Sequence, residues 1–107
     1  MNLNVLKALS DTIHARRTAS AEASYTRQLL DAGPSKCAKK LGEEAVELVI
    51  AATSEDDAAL HNEAADVVYH LLVLLESRDT NLGAVLDVLG ERHGVSGLDE
   101  KASRTST

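Results

Sequence analysis

Two pairs of carboxylates carry the chemistry that this chain is best equipped to perform. Glu44 and Glu47 form an E-x-x-E pair, and Glu63 and Asp66 form an E-x-x-D pair further along the chain. Because residues three apart share one face of a helix, each pair presents its oxygens in one direction. Two such helices packed together would bring four carboxylates to one point, and oxygen ligands of this kind suit a hard cation such as Mg2+.

The surroundings of the second pair favour a metal site over a solvated helix face. Glu63 and Asp66 lead directly into residues 67–75, the most apolar stretch of the chain, where unpaired charge is costly. Four neighbouring carboxylates would also repel one another unless a divalent cation neutralised them. A cysteine-based zinc site is excluded because Cys37 is the single cysteine, and a small buried side chain is its expected role. The Glu-x-x-His pairs of a di-iron bundle are absent.

Basic residues upstream of the acidic pairs point to a phosphate substrate. Residues 1–40 carry seven Lys or Arg against three Asp or Glu, whereas residues 41–79 carry one Arg against ten acids. Mg2+ usually keeps several waters and takes further ligands from phosphates, so Mg2+-dependent hydrolysis of a phosphoanhydride by water is the expected reaction. Lys36 and Lys40 would neutralise phosphate charge, and Glu43 or one of the four metal carboxylates would act as general base. His70 is expected to be a core or supporting residue.

The elements that must position these residues are predicted to be helices. Apolar spacing, N-cap residues and the Gly33-Pro34 stop signal predict five of them. The first two predicted helices are residues 4–17 and a short helix that is capped by Ser24 and ends at residue 32. The third begins at residue 34 or 35 and ends at about residue 53. The fourth covers about residues 56–77, and the fifth runs from residue 82 to about residue 92. The sequence therefore predicts an all-α fold with one domain over residues 1–94 and a polar tail over residues 95–107.

The second half of the fourth helix, residues 67–75, is apolar nearly all the way round, so it needs cover on more than one side. Four short helices of one subunit could hardly supply that cover, which predicts a homodimer with a four-helix-bundle-like core. The net charge of −6 argues against nucleic-acid binding. The sequence shows neither an apolar run of about 20 residues nor a signal-peptide pattern, so we expect no membrane contact and a cytoplasmic location.

Two blocks of sequence resemble the phosphoribosyl-ATP pyrophosphatase family of histidine biosynthesis. The first runs from Ser24-Tyr25-Thr26 through Gly33-Pro34 to residues 36–47, and the second covers residues 62–75. The closing residues 91–93 and the tail over residues 97–104 add to the likeness. The resemblance covers residues 24–104 and departs from the family at no acidic position.

This resemblance implies the all-α fold shared with MazG-like nucleoside-triphosphate pyrophosphatases, a homodimer and a requirement for Mg2+, with Mn2+ as a possible substitute in vitro. It implies hydrolysis of the α-β phosphoanhydride of 1-(5-phosphoribosyl)-ATP to 1-(5-phosphoribosyl)-AMP and pyrophosphate. It gives Glu44, Glu47, Glu63 and Asp66 the family's metal role. Together with the residues singled out above, the predicted site has the catalytic residues Glu43, Glu44 and Glu47 and the substrate-binding residues Lys36, Lys40, Lys101 and Arg104.

Two other functions are consistent with parts of this pattern. A MazG-like enzyme that hydrolyses non-canonical nucleoside triphosphates would share the metal motif, and only the Ser24-Tyr25-Thr26 segment and the tail from Lys101 to Arg104 favour the histidine enzyme over it. A non-catalytic helical dimerisation module would carry the same acids as solvated surface groups.

Overall fold

The computed structural model describes residues 1–93, which form five α-helices and no strand. The helices are α1 Asn4–Ala15, α2 Tyr25–Ala32, α3 Pro34–Ser54, α4 Asp57–Ser77 and α5 Leu82–Arg92. The all-α prediction is therefore confirmed, whereas homodimerisation stays a prediction. Lys101, Arg104 and the predicted tail lie outside the described residues.

Local capping chemistry sets most helix boundaries. The side chains of Ser24, Asp56 and Asn81 each accept a hydrogen bond from a backbone N–H in the first turn of the helix that follows, at 2.9–3.1 Å. Gly33 separates α2 from α3 with a φ of 94°, and Pro34 occupies the first turn of α3. These positions match the predicted boundaries of α2 to α5 to within a residue or two.

The first helix ends earlier than its apolar spacing predicts. It stops at Ala15 and continues as a 3-10 turn over Arg16–Thr18, so the predicted end at residue 17 is wrong by one tight turn. The tightened turn coincides with the point where the Arg17 side chain contacts Glu76 and Asp79 at the end of α4. That contact between distant segments could not be read from local spacing.

Two 21-residue helices, α3 and α4, form the main helical pair. They are joined by Glu55 and Asp56 alone, so they run antiparallel as an αα-hairpin of about 31 Å in length. Helices α1 and α2 pack against the end of this hairpin that contains the start of α3 and the end of α4. The buried apolar core lies at that end and consists of Ile13, Leu29, Cys37, Leu72 and Val73.

The burial of Cys37, which is 1% exposed, confirms its expected role as a small core residue. Its thiol donates to the Leu29 carbonyl oxygen, which ties the start of α3 to α2. Within the described residues, no helix is both long enough and apolar enough to cross a membrane.

Candidate metal centre and its surroundings

Three of the four predicted metal ligands meet between α3 and α4. Glu44 on α3 and Glu63 and Asp66 on α4 each offer a carboxylate oxygen, and these three oxygens lie within 4.8 Å of one another. We call these three residues the acidic triad. It lies near the middle of both helices, about two turns along them from the core residues Cys37 and Val73.

The fourth predicted ligand, Glu47, lies beside the triad rather than within it. Its side chain is exposed, and it does not share the tight grouping of the other three carboxylates. Its charge nevertheless reaches Glu63, because the pKa of Glu63 is raised in part by Glu47. A helix turns 100° per residue, so Glu47 points about 60° away from Glu44 around α3.

The electrostatics of the triad fit a bound cation. The pKa of Glu63 lies above its usual value, first because of desolvation and then because of repulsion from Asp66, Glu44, Glu47 and Glu55. Among the described residues, no Lys, Arg or His forms an ion pair with a member of the triad at 4.0 Å or less. Three converging carboxylates with an all-oxygen donor set suit Mg2+ or Mn2+ better than a softer metal.

The predicted basic residues of α3 lie one and two turns before Glu44. Lys40 is half-buried and its ammonium lies 3.3 Å from the Glu43 carboxylate. The pKa of Lys40 is raised, first by its hydrogen bond to Glu43 and next by the influence of Tyr25, with Glu43 and Glu44 adding to it. Lys36 is exposed. Of these two lysines, Lys40 is therefore the one that pairs with an acid adjacent in sequence to the triad.

An aromatic cluster lies one helical turn from the triad, where α2 meets α4. It consists of Tyr25, Tyr69 and His70, with the His70 ring centroid 6.4 Å from Tyr25 and 5.0 Å from Tyr69, both in edge-on geometry. His70 is 6% exposed, as expected for a core residue, and its Nδ1 has no hydrogen-bond partner among the described residues. The Tyr69 hydroxyl hydrogen-bonds to the Thr26 hydroxyl.

A second ionic cluster holds α1 to the end of α4, about 15 Å along α4 from Asp66. Glu76 is 8% exposed, and its carboxylate accepts hydrogen bonds from Arg17 and, at 2.7 Å, from His14 Nδ1. Arg17 also donates to Asp79 at 2.8 Å. An open cavity of about 1010 Å³ adjoins this cluster between α1 and the start of α5.

Sequence reasoning did not identify Glu76 or Arg17 as partners, and it assigned Tyr25 no role. Glu76 directly follows the apolar residues 67–75, and an acid at such a position indicates that a counter-charge lies nearby. Nothing in the local pattern indicated that Arg17, 59 residues away, would supply it.

The sequence matches known proteins along nearly its whole length. The family profile described as phosphoribosyl-ATP pyrophosphohydrolase matches residues 6–93. The chain is 54% identical to the phosphoribosyl-ATP pyrophosphatase of Dinoroseobacter shibae, over 95% of this chain and 100% of that protein. It is 57% identical to phosphoribosyl-ATP pyrophosphatase 1 of Bradyrhizobium diazoefficiens, over 90% of this chain and 91% of that protein.

Proposed function

Because this chain belongs to the phosphoribosyl-ATP pyrophosphohydrolase family, we propose that its acidic triad is the metal site of a phosphoribosyl-ATP pyrophosphohydrolase. The reaction is the hydrolysis of the α-β phosphoanhydride of 1-(5-phosphoribosyl)-ATP to 1-(5-phosphoribosyl)-AMP and pyrophosphate, a step of histidine biosynthesis. The observation that carries the assignment is the convergence of Glu44, Glu63 and Asp66 to within 4.8 Å in a chain of this family.

The triad supplies the metal ligands, and Glu47 adds negative charge beside it. Bound Mg2+ supplies Lewis acidity toward phosphate oxygens and toward water. Without a cation, four carboxylates this close together would repel a polyphosphate. We therefore expect metal and substrate to bind together. The raised pKa of Glu63 reports the repulsion that the cation relieves.

The remaining polar residues of the site bind phosphate and move protons. Lys40 is held next to Glu43 and beside Glu44, where its ammonium can pair with a phosphate oxygen. Lys36 extends the same basic surface toward solvent. Glu43 and Glu47 are both exposed acids next to the triad, and either can accept the proton of the attacking water.

A homodimer is part of the proposal, and the surface of α3 supports it. Val46, Val49 and Ile50 are 58%, 61% and 46% exposed and form one stripe of α3, on the side opposite its buried residues Cys37 and Ala51. Helix α5 likewise buries no residue, and three of its large apolar side chains are exposed. A second copy packed on α3 would cover this stripe and complete the bundle.

The test is turnover of phosphoribosyl-ATP by the full chain, with product identification and with dCTP and dUTP as competing substrates. The proposal predicts Mg2+-dependent release of pyrophosphate and a higher kcat/KM for phosphoribosyl-ATP. Asp66→Asn should lose about 100-fold or more in kcat/KM, whereas the nearby exposed acid in Glu55→Gln should lose little. Preference for the deoxynucleotides would instead assign the chain to the MazG-like activity, and an unchanged D66N rate would contradict the metal site.

A further inference from the structure

Tyr25 is an exposed tyrosine whose ring contacts His70, one helical turn along α4 from the triad residue Asp66. The chain contains two Tyr and neither Trp nor Phe. Tyr69 is half-buried and its hydroxyl bonds to Thr26, whereas Tyr25 is 52% exposed at the first position of α2. An aromatic ring in water at the edge of a charged site offers a flat apolar surface for a ligand.

The Tyr25 ring is supported from the protein side. His70 meets it edge-on, with ring centroids 6.4 Å apart and an interplanar angle of 86°. His70 is itself held by Tyr69, at 5.0 Å and 71°, and the Tyr69 hydroxyl is anchored on α2 through Thr26. This chain of contacts supports one side of the Tyr25 ring, and the residue as a whole stays 52% exposed.

The ring also stands at a defined position relative to the metal ligands. In the antiparallel hairpin, one turn from Glu44 toward the start of α3 leads to Lys40, and one turn from Asp66 toward the end of α4 leads to His70. One turn corresponds to about 5–6 Å along the helix axis. Tyr25 and Glu44 both contribute to the raised pKa of Lys40, after its hydrogen bond to Glu43. Through its contact with His70, Tyr25 therefore lies about one helical turn along α4 from the triad residue Asp66.

We propose that Tyr25 stacks on the purine base of the substrate and that His70 is the positioning residue that orients the tyrosine ring. The inference rests on the proposed function, because it assigns the triphosphate to the triad and Lys40. A nucleotide carries its base one ribose away from the α-phosphate, so a base extending from the triad toward the start of α2 meets this ring. Every base has a π-face, and aromatic side chains bind such faces by stacking.

The scarcity of aromatic residues permits a direct spectroscopic test. In Tyr69→Phe, Tyr25 is the single source of tyrosine emission, and in Tyr25→Phe that source is Tyr69. We expect α,β-methylene-ATP with Mg2+ to quench the emission of the Y69F protein to saturation. The same nucleotide should leave the Y25F protein unquenched after absorption is corrected, and inorganic tripolyphosphate should quench neither. Equal responses of the two variants would overturn the inference.

Kinetics on phosphoribosyl-ATP supply the second readout. Tyr25→Leu should raise KM about 10-fold with little change in kcat, whereas Tyr25→Phe keeps the stacking surface and should stay close to the parent. His70→Leu should raise KM in the same way, and His70→Phe should restore it. A Y25L protein with the KM of the parent would overturn the role of Tyr25 and leave the proposed function intact. A parent that releases no pyrophosphate would overturn the proposed function, and the emission test then decides base contact independently.

Discussion

Glu44 and Glu63 lie on different helices and place carboxylate oxygens within 4.8 Å of each other, with Asp66 at the same distance or closer. The hairpin thus assembles like charges at a position that its hydrophobic core does not cover. In the absence of a cation this arrangement raises the pKa of Glu63, through desolvation first and through Asp66 and Glu44 next.

The first prediction concerns the pH dependence of the metal-free protein. A carboxyl whose folded pKa is raised stabilises the fold most below its ordinary pKa, and that contribution is lost as the pH rises through the raised value. In EDTA, Glu63→Gln should therefore raise Tm at pH values above the raised pKa of Glu63. At pH values below the ordinary carboxyl pKa it should leave Tm nearly unchanged. Thermal unfolding followed by circular dichroism from pH 4 to 8 measures this effect.

Glu22→Gln serves as the control, because Glu22 is an exposed acid in the segment between α1 and α2. Its Tm profile should follow that of the parent. A Glu63→Gln protein that is less stable than the parent at pH 8 in EDTA would show that Glu63 is not under repulsion.

The second prediction concerns the ionic cluster at the end of α4. Burial raises the pKa of Glu76, but hydrogen bonds from Arg17 and His14 outweigh it and the net pKa is lowered. Its contribution to stability is therefore present above the ordinary carboxyl range and lost as the pH falls through the lowered value. Arg17→Ala leaves a buried carboxylate with one partner fewer, and we expect a loss of about 1–3 kcal/mol at pH 7.

The loss should fall toward the lower end of that range, because the Arg17 side chain is 38% exposed and solvent screens its charge. Urea unfolding at pH 7 provides the measurement. Lys7→Ala is the control, since Lys7 pairs with Asp11 on the exposed surface of α1 and should change stability little. Equal effects of the two substitutions would contradict a structural role for the Arg17–Glu76 pair.

The third prediction tests the apolar stripe of α3. We expect the parent protein to sediment as a dimer in sedimentation velocity, and Val49→Glu, which places a charge in the proposed subunit interface, to sediment as a monomer. Val5 on α1 has the same exposed fraction of 61%, so Val5→Glu controls for a charge on an exposed valine. A parent that sediments as a monomer, or a V49E protein that stays dimeric, would rule out this interface.

The fourth prediction concerns the one-residue connection between α2 and α3. Gly33 has a φ of 94° and a ψ of 173°, a conformation that essentially only glycine adopts. Gly33→Ala should cost about 1–3 kcal/mol of folding free energy, although no atom lies within 4 Å of an added Cβ. Gly90→Ala is the control, because Gly90 lies inside α5 with equally open space and an ordinary helical backbone. Alanine at position 90 should stabilise α5 slightly. A G33A protein as stable as the G90A protein would contradict the backbone strain expected for alanine at position 33.

Helix positions were predictable because their signals are local. Ser24, Asp56 and Asn81 cap the helices that follow them, and Gly33-Pro34 separates two others, as their types and spacing predict. The sequence also indicated which face of each helix carries the acids. It did not indicate how far each helix is rotated toward its neighbour, and that rotation places Glu44 in the triad while Glu47 remains beside it.

Contacts between distant segments could not be predicted from the sequence, and the reason is physical. The pairing of Arg17 with Glu76 and the contact of Tyr25 with His70 both depend on where α1 and α2 pack on the hairpin. That packing is decided by burial of core residues such as Ile13 and Leu29, which any apolar residue of similar size could supply. The chemical partners that the packing brings together are therefore visible only in three dimensions.

The central claim is that Glu44, Glu63 and Asp66 hold the catalytic cation, and a Mn2+ titration of the protein followed by electron paramagnetic resonance tests it most directly. We predict saturable Mn2+ binding by the parent and by Glu55→Gln, competition by Mg2+, and loss of that binding in Asp66→Asn while the helical circular dichroism spectrum is retained. Saturable binding of equal affinity in the folded D66N protein, or no binding by the parent, would contradict the claim.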